Sequence, residues 1–519
     1  MSAVPLKLAT VESAHPVTDE VVIGKDILEL LTGAMYADPL TIYREYVQNA
    51  ADAIDLARDG GIAPENGFTV TIDLDRATRT IRIRDNGASI RARDFVRTLT
   101  AIGASGKRHQ RLRGFRGVGR LSGLGYCQEI VFRGRAEGDA EITELRWDGR
   151  RLRELLRDAN YSGDLANLIR SAVDVRKGQS GDYPKRFFEV ELRKVSRLRG
   201  DLLLNDDAIR SHLGQVAPVP FHPEFSLGPC IAKFLQERGV REPIDVRILG
   251  DEQPIYHGAR DSVAFSEKLI DTVQSVEFLE LRGQDGDVDA FGWLLEHGYL
   301  GAVPRRAGTG GIRLRAGNIQ VGSEAILGPL FVEPRFATWA IGELHVCSAR
   351  ILPNARRDEF EASLPYAHLQ DELTILTKRI TQTIRDRSIG RNRLRRVRED
   401  LAFADQWLDE ARGDGLPASM LSRVREIVDA RLKDAHKQLE KLPAEREDIA
   451  ALKQRMRTVT ARRTRLLGGE PEGGAKRRSA KDRALAVALD AILAHAPTPH
   501  AGLQLSRHIL NAFEASKLA

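Results

Sequence analysis

Cysteine is scarce in this chain. Its three cysteines, Cys127, Cys230 and Cys347, stand far apart in 519 residues with no C-x-x-C pair, which excludes a disulfide framework and a cysteine zinc site. No run approaches about 18 consecutive apolar residues, and nothing near Met1 resembles a basic segment leading into an apolar one. Membrane-spanning, secreted and collagenous classes are therefore set aside, and a cytoplasmic protein is expected. Neither sign of charge dominates: 79 Lys+Arg against 73 Asp+Glu leave +6, a balance that permits an acidic partner without announcing one. There is no internal repeat and no G-x-x-x-x-G-K-[ST] string, so this is not a P-loop protein. What is present is globular: 42% hydrophobic and 29% charged residues with a mean hydropathy of −0.31. That is material for three or four domains at roughly 150 residues each.

The first 200 residues read as an α/β layer domain. Asp38 and Pro39 supply an N-cap and a first-turn proline, and Gly60-Gly61 closes the helix that follows. FTVTIDLD (68–75) and RTIRIRD (79–85) alternate with period two around a short turn and predict a hairpin. From 88 to 125 the chain is rich in Gly, Ser and Arg, as a loop would be. Apolar alternation returns in IDVRIL (244–249), GIRLRAGNIQV (311–321) and GELHV (342–346), which predicts a second α/β domain over 201–365. From 366 to 465 Arg, Glu, Leu, Ala and Asp dominate, as in long helices with an apolar stripe. A basic linker over 466–483 and a short helical tail over 484–519 complete the expected organisation.

Chemistry concentrates on the first helix, in EYVQNAADA (45–53). Glu45, Asn49 and Asp52 are four and three residues apart and project from one face. An amide oxygen can take a hard cation while a carboxylate beside it polarises a water; the plain alternative is an ordinary polar helix face. About 30 residues on, a strand ends in Asp85-Asn86-Gly87, where a carboxylate can accept a purine amino hydrogen and a glycine lets backbone approach the ring. GFRGVGRLSG (114–123) follows, with Gly114, Gly117 and Gly119 free to turn backbone N–H groups toward phosphate oxygens and a helix starting near Arg120.

In that order, E-x-x-x-N-x-x-D, D-x-G and G-x-x-G-x-G resemble the Bergerat-fold ATPases, the gyrase, heat shock protein 90, histidine kinase and MutL (GHKL) superfamily. YREYVQNAADAID (43–55) is most similar to the heat shock protein 90 and MORC-type branches. The resemblance implies an α+β fold, with helices on a mixed sheet binding ATP and Mg²⁺ under a lid over about 94–120. By that match Glu45 is the general base, Asn49 the Mg²⁺ ligand, and Asp85 the acceptor of the adenine amino group. Asp52 and Gly87 line the base pocket. Gly114, Gly117, Val118 and Gly119 cradle phosphate, and Ser105, Gly106 and Lys107 form the lid hinge. ILPNARRDEFE (351–361), after GELHV, resembles the catalytic loop of the heat shock protein 90 middle domain and gives Arg357, with Arg356 its nearest rival, as the γ-phosphate contact. Two departures stand out: the second glycine of D-x-G-x-G is Ser89, and RFFEVEL (186–192) offers no late threonine beside the adenine-binding aspartate.

The expectation is thus an ATP-hydrolysing switch, a homodimer whose amino-terminal domains close on ATP, acting on a protein client or partner. The alternative is a MORC-like or MutL-like clamp on duplex DNA, in genome maintenance or anti-phage defence. A sensor kinase is disfavoured because no phospho-accepting helix precedes the domain. Basic runs at 391–400, 461–465 and 475–483 are the candidate DNA contacts, but no aromatics interleave with them for base stacking.

Overall fold

A single helix organises the first part of the chain. In the computed structural model, α1 (Thr41–Asp59) buries Ile42, Tyr43, Tyr46, Val47, Ala50, Ala51 and Ile54. It lies against β1 (Thr69–Asp75) and β2 (Thr80–Asp85), which form the expected antiparallel hairpin. The structure describes residues 38–101, 119–158, 160–161, 163–179, 181–198, 200–412, 418–442, 447–468 and 480–518. The Asp38 carboxylate accepts from Leu40 N at 3.0 Å, so it closes a turn two residues ahead of the helix instead of capping it. At the other end, Gly60 ends the helix and Gly61 takes φ +73°.

The chain continues through α2 (Ala92–Thr100), a 3-10 turn at Gly119–Gly125, β3 (Glu129–Arg135), β4 (Ile142–Asp148), α3 (Gly149–Arg157), α4 (Leu165–Ala172), β5 (Val173–Gly178), β6 (Phe187–Arg193), α5 (Asp206–Val216), α6 (Gly228–Glu237) and β7 (Asp245–Ile248). Seven strands form one sheet in the order β5-β4-β3-β6-β2-β1-β7, antiparallel throughout except that β7 runs parallel to β1. The mixed sheet with helices on it is the expected α+β architecture. Two details differ. The stretch from 88, expected to be loop, contains α2, which buries Phe95 and Leu99. IDVRIL, expected in the second domain, is the edge strand β7 of the first sheet.

The two faces of this sheet are chemically distinct. Val70, Ile72, Ile81, Ile83, Ile130, Phe132, Leu145, Trp147, Val190 and Leu192 meet α1 in one core, each large side chain contributing about 1.5–3 kcal/mol by burial. The opposite face carries cross-strand charges: Arg84–Glu189 at 2.6 Å, Arg133–Glu189 at 2.8 Å, Arg133–Glu144 at 2.7 Å and Arg82–Asp73 at 2.9 Å. Alternating signs across neighbouring strands pair the charges on that face.

The second sheet follows a small hairpin, β8 (Ser262–Ala264) and β9 (Ile270–Thr272). It contains β10 (Ser275–Arg282), β11 (Val288–Glu296), β12 (Gly311–Ala316), β13 (Ile319–Val321) and β14 (Ile341–Val346) in the order β10-β11-β14-β12-β13. These strands and everything before them belong to a compact unit, residues 1–381; a second unit spans 382–519. The helices there are the later part of α7 (Leu364–Ala411), α8 (Ala418–Leu439), α9 (Glu447–Leu467), α10 (Ala480–His495) and α11 (Pro499–Leu518). Their core joins Val397, Leu401, Trp407 and Leu408 to Val424, Val428, Ile449 and Val459, and includes Leu493 and Leu503 from the tail.

Candidate functional site

The 19-residue helix α1 is buried almost all round, so its polar side chains need a local reason to be there. Glu45 is only 7% exposed. Its carboxylate receives Arg44 Nη2 at 3.0 Å and Nε at 3.3 Å. Gly119 stands opposite it: a Cβ there would fall inside contact distance of the Glu45 carboxylate oxygen and displace that side chain. Tyr46 fixes that approach, its hydroxyl donating to Arg120 O at 3.1 Å and accepting from Gly123 N at 3.2 Å. One turn along the same face, Asn49 is half-buried and makes no hydrogen bond among the described residues, and Asp52 is buried at 1%.

Asp85 ends β2 in the interior. Burial pushes its carboxyl up to about 7, against the lowering effect of the Gly87 N–H, which donates to Oδ1 at 2.9 Å. At Gly87 only glycine fits, since a Cβ there would stand 2.6 Å from the Ala53 carbonyl carbon, a main-chain atom. Ala88 N donates to Ala53 O at 2.9 Å and locks the turn against α1. Ser89 explains the missing second glycine. It adopts φ +60°, the left-handed conformation a glycine would take freely, and its hydroxyl donates to Phe187 O at 2.8 Å.

The loop after β14 comes to this same place. Arg44 Nη2, which holds Glu45, also donates to the carbonyl of Arg356 at 3.2 Å. Arg357 is buried at 7% with φ +55°, its backbone pinned by Arg357 N to Asn354 O at 3.2 Å and Gly322 N to Arg357 O at 2.7 Å. A bulky residue persists in that conformation only where its surroundings fix it on both sides. His212 on α5 lies near Arg44 and Asp38, and burial drives it down to about 4, so it stays neutral at ordinary pH.

Residues 41–157 match the family model described as histidine kinase-, DNA gyrase B- and HSP90-like ATPase. They form a domain of the GHKL superfamily. Within it the chain is similar to the chaperone protein HtpG of Acinetobacter baylyi, 30% identical over 139 residues, which is 23% of this chain and 22% of that protein. It is similar also to HtpG of Cupriavidus metallidurans, 30% identical over 190 residues, 33% and 30% of the two. HtpG of Rickettsia canadensis is 28% identical over 145 residues. The matched stretches span less than a third of these curated relatives.

The structure sets Gly119 against Glu45 on the helix that also carries Asn49 and Asp52, sets Gly87, bonded to Asp85, against Ala53, and brings Arg356 to Arg44. Ser105, Gly106, Lys107, Gly114, Gly117 and Val118 lie outside the described residues. Two contributors escaped the sequence reading. Arg44 gave no signal beyond a charge next to Glu45. Arg186, just before β6, donates from Nε to Gly87 O at 3.0 Å and Asn86 O at 3.3 Å and so holds the turn from a segment with no recognisable motif. Among the described residues no group of three or more His, Cys, Asp or Glu could cage a metal. No helix among the described residues is long and apolar enough to cross a membrane.

Proposed function

We propose that this chain is a Mg²⁺-dependent, ATP-hydrolysing conformational switch of the heat shock protein 90 kind. The observation that carries the reading is the double contact of Arg44, which ties the buried Glu45 of the GHKL domain to the loop of Arg356 and Arg357. A switch needs such a link, because nucleotide state in one domain must alter what another domain touches.

In this reading the adenine amino group donates to Asp85, with Asp52 and Gly87 lining the base pocket. Backbone N–H groups around Gly119, with Gly114 and Gly117 before it, receive the phosphates. Asn49 holds Mg²⁺, which when bound neutralises charge on the phosphate oxygens. Glu45 takes a proton from the attacking water, an effect typically worth about 10²–10⁴ in rate. Arg357 stabilises the charge gathering on the γ-phosphoryl group. Two protomers close on ATP and part after hydrolysis, with a polypeptide as the partner acted on and the cytoplasm as its setting.

The test is steady-state Mg-ATPase of the wild type and Glu45→Ala, each with and without duplex DNA. Phosphate release that vanishes in the variant while nucleotide still binds supports the assignment; hydrolysis that survives overturns it. Stimulation by DNA would instead favour a clamp. In the basic run 461–465, Arg463 Nε binds Asp429 at 2.7 Å, and Arg462 pairs with Asp405 at 3.4 Å and with Asp409; the side chains of the run at 475–483 lie outside the described residues. Arg462 and Arg463 are spent on neighbouring carboxylates.

A further inference from the structure

The second sheet carries a half-open cavity of about 320 Å³, remote in sequence from the nucleotide residues. Its floor is apolar, built from Val263, Leu295 and Ile341, all buried members of one core cluster. Its rim is cationic. Arg260 Nη1 donates to the carbonyls of His257 at 2.7 Å and Ala259 at 2.8 Å. Arg306 Nη2 donates to the carbonyls of Phe265 at 3.1 Å and Ala264 at 3.4 Å. Backbone carbonyls thus orient both guanidinium groups, and among the described residues neither forms an ion pair with a carboxylate. A guanidinium has five N–H donors, so most of each fork is left for something else. Thr309, which also lines the cavity, is 5% exposed, and among the described residues its Oγ1 has no hydrogen-bond partner. A buried hydroxyl without a partner costs free energy that a ligand oxygen would recover.

We infer that this cavity binds a small organic anion, a carboxylate or phosphate head on an apolar body of a few carbons. The head lies between Arg260 and Arg306 and engages the Thr309 hydroxyl; the body covers Val263, Leu295 and Ile341. The volume is at the small end for ligand pockets, which selects against larger cofactors. Burial holds the Arg260 guanidinium below its ordinary range, against the opposing charge of Glu224. This inference does not rest on the ATPase reading, and its test separates the two.

The experiment is calorimetric titration of the full chain with hexanoate, hexyl phosphate and hexanol, repeated on Arg306→Glu, Ala264→Trp and Glu45→Ala. One of the two anions binds saturably at one site, and hexanol binds at least about tenfold more weakly, the effect of losing a charge-assisted contact. The tighter of the two anions identifies the head group. Arg306→Glu loses about tenfold or more, and Ala264→Trp, a change at an exposed rim position, blocks the mouth; both keep the wild-type melting profile. Glu45→Ala binds as the wild type does. Failure of both anions to saturate, hexanol binding as tightly as the anions, or undiminished binding in both rim variants would each overturn the assignment.

Discussion

Arg44 and Glu45 are neighbours on α1, and their side chains close on each other: Arg44 Nη2 stands 3.0 Å from Glu45 Oε1. The same nitrogen reaches the carbonyl of Arg356 at 3.2 Å, 312 residues further along the chain. Replacing Arg44 by alanine therefore removes at once what orients the proposed base and what anchors the proposed γ-phosphate loop. The expected result is a fall in ATPase kcat of roughly tenfold or more, since misplacement of positioned groups is costly, with KM for ATP moved much less. Arg44→Lys restores little, because a point charge cannot repeat the fork. Equal kcat in wild type and Arg44→Ala would detach the ion pair from catalysis.

If Asp85 accepts the adenine amino group as proposed, it makes nucleotide binding pH-dependent. Burial pushes its carboxyl up to about 7, so below that pH it carries a proton where the amino group would donate. Bound donors favour the ionised form, and affinity therefore falls as pH drops through 7, by about tenfold between pH 8 and 6. Asp85→Asn weakens binding at both values and flattens that slope. Fluorescence titration with ADP at the two pH values decides it: a variant slope as steep as the wild type's would place the proton elsewhere.

Gly87→Ala tests the cradle independently of chemistry. The new methyl would sit 2.6 Å from the Ala53 carbonyl carbon and 2.7 Å from Ile54 N, both main-chain atoms of a buried helix that cannot yield cheaply. Overpacking of this sort costs about 1–3 kcal/mol, visible as a lower urea midpoint. Gly178→Ala, at a position with open space around it, serves as the control and should stay within about 0.5 kcal/mol. Equal midpoints for the two variants would mean that the turn can shift.

How much of this the sequence carried follows from where periodicity is strong. The hairpin 69–85 alternates strictly and was legible, as was α1 with its Glu45, Asn49, Asp52 face. Helix α2 was not, because only Phe95 and Leu99 of its nine residues are buried, set among Arg93, Arg97 and Asp94. The strand at 245–248 was legible as a strand but not as to its sheet. Parallel pairing with β1 is made across α5 and α6, and nothing in IDVRIL encodes its neighbour. Ser89 read as a departure from a glycine pattern; it takes the left-handed φ that a glycine adopts freely. Arg44 and Arg186 act through main-chain carbonyls, contacts that no spacing rule announces.

The second sheet predicts acid sensitivity. Glu343 on β14 is fully enclosed and sits 2.5 Å from Arg315 and 3.0 Å from His257, with His345 at 4.0 Å and Arg313 on the neighbouring strand. Arg315 in turn donates to Gln215 O at 2.8 Å and so ties the sheet to the end of α5. Burial, with Arg315 and His257 and against Glu343, holds His345 down to about 4; against its own burial, Arg315 and the two histidines keep Glu343 well below the ordinary carboxylate range. Both folded-state values lie below the unfolded ones, so the folded state binds fewer protons between them. Stability is present above about pH 6.5 and is lost as pH falls toward 4, His345 accounting for roughly 2 kcal/mol between pH 7.5 and 5. Urea unfolding of the wild type at those two pH values should show the loss, and His345→Gln should show a smaller one. Equal losses would remove His345 as the cause and leave other buried groups of the chain, His212 and His257 among them, to account for it.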